Sequence, residues 1–223
     1  MTSTPTVAIV NNDDRYLYRF RGSLLRALKT RKWKVLAVAP AGRAVPAIEQ
    51  EEVSFVHWPL SRRSVNPLLE VWSLFKLWRI YRRTRPHLVH HFTPKVNIYG
   101  ALAARMAGVP VVVATVTGLG YVFTADGARA RLIRPIVSAL YRIAFRKSDA
   151  VVFQNQDDIS EVHAAGLLEL TKAHYVPGGS GVDTAAFDPD AVDELTLVRN
   201  VSEAPFFNDV WSSPDGGSTW ILN

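Results

Sequence analysis

The 223-residue chain contains no cysteine. Neither a disulfide framework nor a thiolate metal site is open to it, which fits a reducing compartment. Nowhere do 18 apolar residues run together, so no segment is expected to cross a membrane as a helix. The opening Met-Thr-Ser-Thr-Pro lacks a basic stretch followed by an apolar core, and no secretory signal is expected. Acidic residues are scarce in one part only: residues 1–147 carry 24 Lys and Arg against 7 Asp and Glu, whereas 148–223 carry 2 against 13. The net charge of +6 therefore conceals a strongly basic first part. Such a surplus suits an anionic partner, or else a set of Arg-rich solvated helices.

Metal and dinucleotide chemistry find little support. His90 and His91 are neighbours on an apolar run, so as strand residues they point to opposite faces and cannot chelate together. Gly118-x-Gly120 is followed by Phe123 where a dinucleotide fingerprint needs its third glycine, and it belongs to a late strand. Asp188-Pro-Asp190 imitates a metal-binding Asp-x-Asp but lies in a proline-flanked linker. No metal is expected.

What the chain does have is 48% hydrophobic residues, ample for a packed core, in short β-branched runs alternating with amphipathic segments. Strands are predicted at Thr6–Val10, Lys34–Ala39, Val53–His57, His87–His91, Val109–Val116, Asp149–Phe153 and Ala173–Pro177. Leu17, Phe20, Leu24, Leu25 and Leu28 recur at three- and four-residue steps and predict a helix over Arg15–Thr30. Further helices are expected at Gly42–Glu52, from Asn66-Pro67 to Arg83, at Val96–Ala107 up to Gly108, at Gly127–Lys147 with a kink or restart at Pro135, and at Asp157–Ala165. Strand, helix and strand within about 30 residues form the parallel crossover unit. The fold class expected is α/β, a doubly wound parallel sheet of six or seven strands over residues 6–178 with helices on both faces.

The unit from His87 to Phe123 is the centre of this pattern. Loops leaving the carboxyl ends of parallel strands are where open α/β sheets bind ligands, and His91, Lys95 and the Thr117–Gly120 turn fall on that edge. The Asn11–Asp14 turn joins them, with Asp13 or Asp14 serving as a helix cap or as a contact for a ligand. The helix from Asn66 is apolar over more than half its circumference, and Arg62, Arg63, Arg82, Arg83 and Arg85 lie beside it. Either it packs on two sides, or Trp72, Trp78, Arg82 and Arg83 meet an anionic membrane. A nucleic-acid partner is disfavoured, because the aromatics sit in apolar stripes instead of alternating with Arg on an open platform.

Pro86-His-Leu-Val-His-His-Phe-Thr-Pro-Lys95, Ala103-Ala-Arg-Met-Ala-Gly-Val-Pro110 and Thr115-Val-Thr-Gly-Leu-Gly120 together resemble the amino-terminal half of bacterial GT-B glycosyltransferases of family 4, notably those building capsular or lipid-linked polysaccharide. The resemblance runs from about Val7 to Pro189, and within it Gly181-Val-Asp183 with Phe187 marks the crossing towards a second domain. It implies a retaining transfer of sugar from a nucleotide-sugar co-substrate to a lipid-linked glycan acceptor, with no metal or other cofactor. The implied acceptor contacts are Asn12, Asp13, Arg62, Arg63, His91, Lys95, Thr117, Gly118, Gly120 and Tyr121, while Gly181 and Asp183 face the donor side. Many members place a His where Thr117 stands, which puts a His-assisted role there in doubt. His91 either reaches the cleft or packs in the core. No catalytic residue is assigned.

The expected organisation is an acceptor-side domain over residues 1–189 and an unrelated tail over 190–223, disordered or forming a single β-hairpin. Ser213-Pro-Asp-Gly-Gly-Ser-Thr-Trp220 fits the Asp-box of sialidase-like propellers, or matches it by accident. With no donor domain in view, the chain is expected to be a truncated transferase inactive alone, cytoplasmic and peripheral at the inner membrane face. A separate chain would then supply the donor half. A non-catalytic acceptor- or membrane-binding module is the rival expectation.

Overall fold

The computed structural model describes residues 4–62, 64, 66–119 and 128–177, plus the strand residues 211–212 and 221–222, with side chains omitted at 128–132 and in the last two strands. Seven strands form one sheet: β1 (Thr6–Val10), β2 (Lys34–Ala39), β3 (Ser54–His57), β4 (Leu88–Phe92), β5 (Val111–Val116), β6 (Ala150–Phe153) and β7 (Ala173–Tyr175). Their spatial order is β3-β2-β1-β4-β5-β6-β7 and every pairing is parallel. The expected doubly wound α/β sheet is therefore what forms. Chain order reverses between β1 and β4, where Val7 pairs with both Val35 and Leu88.

All five residues of β1 are buried, because helices cover both faces of the sheet. Val7 and Ile9 face one core with Leu17, Leu25 and Leu28 of α1 (Asp14–Thr30) and Ile48 of α2 (Val45–Gln50). Ala8 and Val10 face the other, with α3 (Pro67–Thr84), α4 (Pro94–Ala107), α5 (Ala128–Lys147) and α6 (Gln156–Ala164). Trp58, fully buried there, donates its Nε1–H to the Ser73 carbonyl at 2.9 Å.

Local chemistry sets the boundaries. Asp13, Asn66 and Asn155 cap α1, α3 and α6 by accepting backbone N–H groups through their side chains. Gly108 ends α4 with φ +78°, a left-handed position that glycine takes without steric cost. Of the kink or restart expected at Pro135, no restart forms: α5 runs on through it, and proline removes one ladder bond there.

The α1 stripe differs from its expected membership. Phe20 is exposed, and Arg21, midway between Leu17 and Leu25, is buried instead. Its guanidinium lies 4.1 Å over the Phe92 ring, a stacked cation that an apolar face accommodates. Burial lowers its pKa to about 10.

The chain divides into two compact units, Met1–Gly181 and Val182–Asn223. In the second, β8 (Trp211–Ser212) pairs antiparallel with β9 (Ile221–Leu222). The expected boundary at 189, the Asp-box residues 213–220, and Gly181 and Asp183 lie outside the described residues, as do Arg63, Gly120 and Tyr121.

Candidate active-site cleft

The carboxyl ends of β1, β2 and β3 enclose an open depression of about 760 Å³. Asn12, Asp13 and Arg15 line it from the β1–α1 turn, Gly42 and Arg43 from the loop after β2, and Ser61 and Arg62 from the loop after β3. Strand register, not a motif, brings these loops together, since three parallel strands end at one sheet edge.

Asp13 is the hub. Its Oδ1 caps α1 by accepting the Arg15 N–H at 2.9 Å and also takes Arg15 Nε–H at 3.2 Å. Its Oδ2 meets Arg15 Nη2 and Arg62 Nη1, each at 3.1 Å. Burial alone would raise the Asp13 carboxyl, but the Arg15 side-chain and backbone hydrogen bonds, with the Arg15 and Arg62 charges, outweigh it and hold it below the ordinary value. Arg62 also lies 5.1 Å over the Tyr16 ring. Asp14 turns inward, where its Oδ2 accepts the Ala44 N–H at 2.8 Å. A Cβ on Gly42 would stand 2.6 Å from Asp14 Oδ1, so this close approach requires glycine. Asn12 Oδ1 is buried with no hydrogen-bond partner among the described residues. Three guanidinium groups against two carboxylates, with a spare acceptor beside them, suit a polyhydroxyl ligand bearing an anion.

Of the residues expected at this site, Asn12, Asp13 and Arg62 converge here. Thr117 and Gly118 end β5 at the same sheet edge, two strands away from β1, with Thr117 exposed and Gly118 at φ +133°. His91 does not reach the cleft. It is 0% exposed, accepts or donates at Nε2 with the Tyr81 hydroxyl at 2.9 Å, and lies against Gly100, where a Cβ would stand 2.5 Å from its ring. Its neighbour His90 bonds Thr115 Oγ1 at 2.7 Å and stacks on Phe92. Burial, with the Arg21 charge beside His90 and His90 itself beside His91, lowers both pKa values to about 3. Two neutral imidazoles, tucked into opposite faces of β4, thus serve the core.

Lys95 is not a spare cation either. Its ammonium donates to the Ser61 carbonyl at 3.0 Å, to the Ser64 carbonyl, and to Glu70 Oε1 at 2.8 Å. Gly42 and Arg43 were not singled out from the sequence as site residues; following β2 to its exit loop is the signal that finds them. Among the described residues no cluster of His, Cys, Asp or Glu could hold a metal ion.

Helix α3 is covered on one side only. Ser73, Leu77 and Tyr81 are buried, whereas Leu68, Leu69, Val71, Trp72 and Phe75 are exposed, Leu68 at 80% and Val71 at 65%. Lys76 lies 4.9 Å over the Trp72 ring, and Arg79, Arg82 and Arg83 are exposed further along. Trp78 is half-buried against α4, its Nε1–H directed at the Met106 carbonyl at 3.4 Å. The helix is thus not buried on two sides. Among the described residues no helix is long and apolar enough to cross a membrane.

The chain is similar to several known proteins. A Campylobacter jejuni N,N'-diacetylbacillosaminyl-diphospho-undecaprenol alpha-1,3-N-acetylgalactosaminyltransferase is 28% identical over 153 residues, 69% of this chain and 41% of that protein. An Escherichia coli UDP-Gal:alpha-D-GlcNAc-diphosphoundecaprenol alpha-1,3-galactosyltransferase is 25% identical over 131 residues, 59% of this chain and 32% of the relative. The chain thus spans well under half the length of these curated relatives. Among solved structures, a glycosyltransferase from Rickettsia africae ESF-5 superimposes with a TM-score of 0.61 at 15% identity, over 91% of this chain and 50% of that one. Anabaena Alr3699/HepE with UDP and glucose gives 0.58 at 14%, over 89% and 51%. Those likenesses establish the fold. The glycosyl transferase 4-like domain family matches residues 19–179, most of the chain, and the protein belongs to that family.

Proposed function

We propose that residues 1–189 form the acceptor-side domain of a transferase that moves a sugar from a nucleotide-sugar to a lipid-linked glycan. The carrying observation is the depression at the β1–β3 edge, where Asn12 Oδ1 has no partner among the described residues and Arg15, Arg43 and Arg62 gather. Asn12 Oδ1 accepts an acceptor hydroxyl, and the guanidinium groups meet its diphosphate through charge-assisted hydrogen bonds. Both curated relatives are named for undecaprenol-diphosphate sugars, which supports this ligand class. Thr117 and Gly118 extend the same edge towards the reacting centre.

Transfer requires the acceptor hydroxyl against the donor's anomeric carbon, and such positioning supplies roughly 7–11 kcal/mol in favourable cases. The described residues form one wall of that arrangement. The polypeptide is expected to bind acceptor, to bind nucleotide-sugars weakly and to turn over little without a donor-binding domain, in the same or another chain. Isothermal titration with a panel of UDP- and GDP-sugars, beside a radiolabelled transfer assay, tests this. Micromolar nucleotide-sugar binding with turnover refutes the one-wall reading.

The exposed face of α3 supports a second element, contact with the anionic cytoplasmic surface of the membrane where a lipid-linked acceptor resides. Apolar Leu68, Val71, Trp72 and Phe75 enter the headgroup region, and each nearby Lys or Arg adds about 1 kcal/mol. Replacing Trp72, Trp78, Arg82 and Arg83 with Ala or Ser should abolish flotation with phosphatidylglycerol vesicles; unchanged flotation refutes it.

A further inference from the structure

Arg62 reaches the acceptor depression from the loop after β3, outside any helix or strand. Lys95, at the start of α4, ties that loop down from below. It donates to the carbonyls of Ser61 and Ser64, which bracket Arg62, while its third donor pairs with Glu70 in the first turn of α3. An ammonium has three N–H donors, so these bonds use all of them. The Lys95 and Glu70 side chains are only 26% and 14% exposed, sheltered enough for the pair to hold a fixed geometry. On the far side of the loop, Arg62 stands 3.1 Å from Asp13 and 5.1 Å over Tyr16, positions that depend on where the loop backbone lies.

We propose that Lys95 and Glu70 are positioning residues which set Arg62 in the acceptor site, and that Lys95 itself touches no part of the acceptor. This rests on the acceptor reading above. Without the ammonium, two loop carbonyls lose their partner and turn to water, and Arg62 loses the backbone that aims it. Without the Glu70 carboxylate the ammonium keeps its two carbonyls but loses its anchor to α3, so the effect is smaller.

Two measurements on the full 223-residue chain test this. The first is titration with a farnesyl-diphosphate-linked N-acetylhexosamine for wild type, R62A, K95M, E70Q and the R62A/K95M double variant. R62A is expected to weaken binding about tenfold or more, the loss of one charge-assisted contact. K95M should weaken it by a similar factor, E70Q by less, and the double variant no further than R62A alone. Multiplying effects of R62A and K95M would show that Lys95 contacts the acceptor directly and overturn the proposal; so would wild-type affinity in K95M.

The second measurement needs no acceptor. Arg62 side-chain NMR signals carry a ring-current shift from Tyr16 in wild type, and K95M should lose it while the strand amides stay in place. An unmoved Arg62 signal overturns the proposal. Failure of the wild-type chain to bind the probe counts against the acceptor reading alone, because the Arg62 signal still reports on its positioning.

Discussion

Acidification from pH 7 to pH 5.5 should weaken the fold through β4. His91 is fully buried and His90 half-buried, and both are held neutral, with pKa values near 3 in place of the ordinary 6.5. A depressed histidine pKa means that the unfolded chain binds the proton more tightly. Stability is therefore complete above about pH 6.5 and falls as the pH drops towards 3. Between pH 7 and 5.5 each histidine costs about 1 kcal/mol, so the pair costs roughly 2–3 kcal/mol. Asp13 and Asp149 are carboxyls held below their ordinary value of 3.8, so their losses begin at lower pH and leave this window to the histidines. On a urea slope of about 2 kcal/mol per M the midpoint should move down by about 1 M. Replacing His90 with Gln should remove about half of that pH dependence. A midpoint that holds steady across the window would show that both imidazoles accept protons in place, and the burial argument would fail.

Other perturbations follow from the same core. Gly100→Ala gains helix propensity of about 1 kcal/mol but drives a methyl into the His91 ring, and overpacking costs about 1–3 kcal/mol. A melting temperature lower by up to about 6 °C is expected, and a raised one would mean that His91 moves aside freely. Trp58→Phe should cost about 2–3 kcal/mol in chemical denaturation, through lost volume and the lost bond to the Ser73 carbonyl. A loss under about 0.5 kcal/mol would place Trp58 in a site that collapses easily.

The sheet was largely legible because most strands are short apolar runs, rich in β-branched residues in β1 and β5, and several stops are chemically marked. Gly108 ends α4 and Asn66-Pro67 begins α3 as their residue types require. Arg21 was missed although its spacing puts it at the centre of the α1 stripe. Its charge argued for the surface, and the aromatic ring that shelters it arrives on β4, 71 residues later in the chain. Lys95 was legible as a cation at the right edge but not as one already spent, since its partners are backbone carbonyls and every residue has one. Arg43 and Gly42 carry no motif, and only the shared register of β1, β2 and β3 reveals them.

The pairing of β1 with β4 also governs how the chain comes off the ribosome. Val7 and its partner Leu88 stand 81 positions apart, whereas β1, β2 and β3 are complete once His57 has emerged. At about 5–20 residues per second, β1 waits roughly 4–16 s for the strand that seals its second side. Throughout that wait the middle of the future sheet is a raw edge of Val, Ala and Ile, open to pairing with another nascent copy. Slowed translation between residues 60 and 88 lengthens that exposure, and a chaperone that shields nascent apolar strands shortens it.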